Sequence, residues 1–123
     1  MRQSSSRARA VGRFAAFPRG RKVAVSMVTV AELEMGVLAA TDADVRARRL
    51  QTLRAAEASE PLPITRGIAA RFAQLVTTMR EQGLSKLRVQ DAWVAATALD
   101  WDAELWTQDG DFAEVPGLNV VRL

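Results

Sequence analysis

Short apolar runs alternate along this chain with longer stretches whose apolar residues recur at helical spacing. "KVAVS", residues 22–26, is a β-branched run of the kind that forms a buried strand. In "TVAELEMGVLAA", Thr29 to Ala40, Val30, Leu33, Val37 and Leu38 recur every three or four residues and predict a helix. "TDADVRARRLQTLRAAEAS" predicts a second helix, with Thr41 or Asp42 as its N-cap and acids in its first turn. "PLPIT" reads as a short strand or an extended link. Thr65 is placed to cap a third helix, through "RGIAARFAQLVTTMREQ", which Gly83 ends. "VQDAWVAATALDW" predicts a fourth helix, the most apolar. "ELWT" reads as a strand, "TQDGDF" continues from it into an acidic turn, and "LNVVRL" reads as the last strand.

The start of the chain does not follow this pattern. "MRQSSSRARA", residues 1–10, is polar and rich in Arg and Ser, and reads as disordered. "VGRFAAF", residues 11–17, reads as the end of a short helix, broken by "PRGR". Residues 1–22 are thus expected to be a separate basic segment, and residues 23–123 the folded domain. Strands alternating with helices imply an α/β architecture with a mostly parallel sheet.

Composition narrows the chemistry. At 123 residues, 49% hydrophobic, the chain is one domain with enough apolar material for a core. No apolar run approaches the ~18 residues needed to span a membrane. The chain has no cysteine, which fits a reducing cytoplasm. It also has no histidine. Together these absences exclude the usual zinc sites, a histidine general base, a Ser-His-Asp triad and a Cys-His pair. Enzymatic chemistry here would be carboxylate chemistry. Mg²⁺ or Mn²⁺ would be its natural cofactor, because hard cations prefer oxygen ligands.

Charge is unevenly spread. Residues 1–22 carry seven basic residues and no acid, and residues 23–123 carry ten basic and fourteen acidic, which sums to the net +3. Such a basic arm has two readings: an electrostatic contact for nucleic-acid phosphates, or a solvated tail. Arginine outnumbers lysine fifteen to two, which GC-rich codon usage alone would produce.

A few of the fourteen acids sit in apolar company. Glu32 lies one and a half turns into the helix that follows "VAVS". Asp91 opens the most apolar helix. Asp109 and Asp111 follow the strand "ELWT". In α/β sheets, ligand sites gather beyond the C-terminal ends of the strands and at helix N-termini, so all four are candidates for one edge. Converging carboxylates repel one another unless a cation sits among them. Each also has an ordinary reading. Asp91 would be a first-turn acid, Asp109 and Asp111 would form a turn with Gly110, and Glu32 would be a surface acid beside Glu34.

The order of three motifs adds to this. "T-x-x-E-L-x-x-G" in "VSMVTVAELEMGVLAA", the Asp of "DAWVAATAL", and "T-x-D-x-D-F" in "LWTQDGDF" resemble the PIN-domain family, and within it the VapC-type toxins of bacterial toxin–antitoxin pairs. The resemblance runs from Val23 to Leu123. It implies a three-layer α/β/α domain acting as a Mg²⁺- or Mn²⁺-dependent endoribonuclease. By the same resemblance Asp91 is the central metal ligand, with Glu32, Asp109 and Asp111 around it. Thr107 would hold a water or phosphate near the ion. Gly36 would permit close packing, and Trp93 would pack in the core or at a partner surface. The implied partners are an RNA substrate, a cognate antitoxin and a second copy of the chain, in the cytoplasm.

One element of the family pattern is absent. Such domains open with a hydrophobic strand ending in an Asp that ligates metal. Counted back from "VAVS", that place falls near Gln3, within "RQSSS", and no acid precedes Glu32. The first strand and its Asp are therefore expected to be missing. A misassigned start or frame, a decayed gene copy, or a variant with a reduced site would each account for this. An impaired nuclease, or an inactive PIN-like module that binds an antitoxin or RNA, follows from the loss.

Overall fold

The computed structural model describes residues 10–13, 23–83 and 87–123. Its elements are β1 (Ala10–Gly12), β2 (Ala24–Val25), α1 (Met27–Ala39), α2 (Ala43–Ala58), α3 (Arg66–Glu81), α4 (Val89–Asp100), β3 (Glu104–Thr107) and β4 (Val120–Arg122). The strands form one parallel sheet in the order β2-β1-β3-β4.

The helices begin where their side-chain caps dictate. Ser26 Oγ accepts from the Val28 N–H at 3.0 Å and starts α1, two residues before the expected Thr29. Asp42 accepts from the Val45 N–H at 3.0 Å and starts α2. Thr65 accepts from the Ile68 N–H at 3.2 Å and starts α3. Each cap satisfies an amide that the helix itself leaves without a partner. Gly83, at φ 72°, takes the left-handed conformation just past the end of α3, where glycine avoids the Cβ clash. "PLPIT" contributes a single bridge, in which Leu62 pairs with Ser26 beside β2.

Sheet parity sorts the helices into two layers. Val11 pairs with Leu105, and Leu105 with Val120, so these three face one side. On that side Val11 and Leu105 share a core with Leu75 and Met79 of α3 and with Ala92, Val94, Ala95 and Ala98 of α4. Val25 belongs to the other side. It packs with Val30 of α1 and with Leu53 and Ala56 of α2. The fold is therefore the expected α/β arrangement, with a parallel sheet between two helical layers. Both faces being covered, all three residues of β1 are buried, as a central parallel strand requires.

Two expectations are overturned here. Residues 11–13 are not the end of a helix: Val11 and Gly12 belong to β1. Nor is the first strand missing. Its last residue, Gly12, lies well beyond Gln3, near which the count from "VAVS" placed its end, and the strand occupies a central position between β2 and β3. It comes from the stretch read as a separate basic segment. Of the residues expected to be disordered, 1–9 lie outside the described ones.

Candidate functional site

All four strands run the same way, so their C-terminal ends share one edge of the sheet. Arg13 stands at that edge, directly after β1. Its N–H donates to the Trp106 carbonyl at 3.0 Å and continues the ladder with β3. By strand alternation Arg13 projects to the same face as Val11, the face that α4 covers. The first turn of α4 carries Asp91, and α1 packs alongside α4.

These placements converge on Arg13. Its guanidinium spans Glu32 and Asp91. Nη1 pairs with Glu32 Oε1, and Nη2 donates to Glu32 Oε2 at 3.3 Å. Nη2 also pairs with Asp91 Oδ1, and Nε donates to the same oxygen at 3.1 Å. Arg13 is 8% exposed, and the side chains of Glu32 and Asp91 are 18% and 3% exposed. Water screens this triad poorly, so removing one partner costs more than breaking a surface salt bridge. Arg is suited to the role, because its planar fork offers several N–H groups to two carboxylates at once. Asp91 also sits at the positive end of the α4 dipole, which favours its charge.

The acidic turn is a separate place. Asp109 and Asp111 are exposed. Asp109 caps a 3₁₀ helix, Gly110–Glu114, by accepting the Asp111 N–H at 2.9 Å. Thr107 is buried, and its Oγ accepts the Asp109 N–H at 3.0 Å. Arg122 lies over the turn: a Cβ added to Gly110 would come within 3.0 Å of its Nη1. Two of the four candidate carboxylates are thus joined through Arg13. The other two organise a turn at the same edge.

The remaining expectations fall on packing. Trp93 stacks on Phe72 with ring centroids 3.8 Å apart and ties α4 to α3. Gly36 faces Arg49 of α2 at an ordinary van der Waals distance, and its carbonyl accepts from Arg49 Nη1 at 2.8 Å. Close backbone approach is therefore not what Gly36 provides. A cleft of about 340 Å³ between α3, α4 and the approach to β4 includes Arg71, Thr78, Asp102 and Asn119. It opens at the C-terminal end of α4, away from Asp91.

The PIN-domain family model matches residues 2–118. The chain belongs to the PIN-domain family. Ribonuclease VapC4 of Mycobacterium tuberculosis is 38% identical over 111 residues, 90% of this chain and 82% of that protein. Ribonuclease VapC5 of the same organism is 40% identical over 102 residues, covering 83% and 75%. The crystal structure of VapBC-5, a member of the VapBC family of toxin–antitoxin systems from M. tuberculosis, superposes with a TM-score of 0.83 at 35% identity. That match covers 94% of this chain and 99% of that one. The PIN domain described here is therefore of the VapC type.

Arg13 is the functional-site residue that sequence reasoning missed. Its signal was faint: one basic residue inside the apolar stretch "AVGRFAAF", ahead of two acids in apolar helices. In this PIN domain it also decides whether the donor set suits a divalent ion. Mg²⁺ needs several oxygen ligands at about 2.0–2.1 Å. Among the described residues no three acidic side chains come together to share an ion. The two that do meet, Glu32 and Asp91, already direct their oxygens at a guanidinium. The residues as arranged do not fit Mg²⁺ or Mn²⁺.

Proposed function

We propose that this chain is the toxin-type module of a toxin–antitoxin pair, a VapC-type ribonuclease by descent whose hydrolytic step is impaired. The descent rests on similarity to two VapC ribonucleases over most of the chain. The impairment rests on one observation: Arg13 holds both Glu32 and Asp91. With no fit for a metal, no reaction step is assigned to one. The same observation favours a second reading, a PIN module that binds RNA or an antitoxin without cleaving. The proposed protein partners are a cognate antitoxin and a second copy of the chain. Met35 and Leu38, 64% and 76% exposed on α1, offer apolar area for such contacts. Among the described residues no helix is long and apolar enough to cross a membrane; we place the protein in the cytoplasm, where RNA and antitoxin are met.

Incubating the purified chain with RNA and Mg²⁺ or Mn²⁺ tests the impairment, and co-expression with the cognate antitoxin tests the pairing. Stable antitoxin binding with little or no EDTA-sensitive cleavage is expected. Vigorous cleavage that Asp91→Asn abolishes would overturn the impairment. Failure to bind antitoxin and RNA alike would overturn the toxin-module reading.

A further inference from the structure

We propose that the Arg13 guanidinium is the resident cation of this site. On this account it keeps the carboxylates that meet it from binding a divalent metal. The inference rests on the toxin-module reading only for the activity it would restore; its claim about metal stands on the geometry.

Arg13 is fixed from both sides. Its backbone is held by the Trp106 carbonyl at the end of the central strand, and its side chain by three carboxylate oxygens on two helices. The guanidinium carries one positive charge against two negative ones, the buried Asp91 and the half-buried Glu32, but distributes it over directed N–H groups. A divalent ion cannot share the space. It would need the lone pairs that these N–H groups use, and it would meet another positive charge within a few ångströms in a poorly screened setting. Among the described residues the scaffold is in place: β1 is in the sheet, and α1 and α4 deliver Glu32 and Asp91 to one guanidinium. Replacing Arg13 by Asp removes a long cation and leaves a short carboxylate at the same strand end. Three carboxylates would then converge without the Arg13 charge, the situation that recruits a hard divalent cation.

Thermal unfolding of the full chain under Mn²⁺ titration, with Mn²⁺ paramagnetic resonance as a direct count of bound ion, tests this. Wild type and Arg13→Lys are expected to bind no Mn²⁺ at this site and to keep their Tm. Arg13→Asp is expected to bind one Mn²⁺, with a Tm that rises as Mn²⁺ is added. Adding Asp91→Asn to Arg13→Asp should remove that binding. Arg13→Gln, which deletes the charge but adds no carboxylate, guards against misfolding of Arg13→Asp and should bind Mn²⁺ more weakly than Arg13→Asp. Saturable binding by wild type that Asp91→Asn abolishes would overturn the proposal. So would a folded Arg13→Asp that binds no Mn²⁺, or the failure of Mn²⁺ to restore folding if both variants are unfolded. RNA cleavage is read separately. Metal binding by Arg13→Asp without cleavage would count against the ribonuclease reading and leave the metal inference standing.

Discussion

The two acidic regions of this protein look alike in sequence and behave differently in space. Asp109 and Asp111 flank a glycine in an exposed turn, where the Asp109 carboxylate accepts one backbone N–H. Glu32 and Asp91 lie 59 positions apart in the chain, yet they meet in the interior and share one guanidinium. The contrast shows that burial, more than the number of acids, decides which carboxylates need a cation. An exposed pair keeps its hydration. A largely buried pair must have a counter-charge built in or bound.

Breaking the buried region should have the largest effect. Asp91→Asn leaves Glu32 as a counter-charge for Arg13 but removes the most buried charge of the triad, and is expected to cost about 2–3 kcal/mol. In a domain of this size that lowers Tm by roughly 8–15 °C in a calorimetric scan. Glu32→Gln should cost less, about 1–2 kcal/mol, because Glu32 is more exposed and glutamine keeps one acceptor for Arg13. Chemical denaturation would resolve the difference between the two. At the acidic turn, Asp109→Ala removes the cap of the 3₁₀ helix and should cost about 1 kcal/mol. Asp111→Asn should stay within about 0.5 kcal/mol of wild type. If the exposed turn proved as sensitive as the buried pair, the distinction between the regions would fail.

Most of the fold was legible in the sequence because its signals were local. Asp42 and Thr65 announced their helices, Gly83 an ending, and "ELWT" a buried strand. The VapC-type motifs added the order of the elements. The first strand was illegible for a physical reason. It is three residues long, Ala-Val-Gly, too short to show a period, and it is set among arginines that read as a solvated arm. Its position is fixed by pairing with β2 and β3, which are distant in sequence or weakly patterned themselves. Arg13 was hidden for the same reason. A buried arginine makes sense only once its two partners are known, and those come from helices 19 and 78 residues further on. The carboxylates were easier to single out, since acids within apolar helices stand out on composition alone.

The central claim is that Arg13 is the counter-ion of Asp91 in the folded protein. A double-mutant cycle measures this most directly, using urea unfolding of wild type, Arg13→Met, Asp91→Asn and the double variant. The account predicts a coupling energy of about 2–3 kcal/mol, with the double variant more stable than the two single losses summed would allow. A coupling below about 0.5 kcal/mol, the range of independent sites, would contradict it.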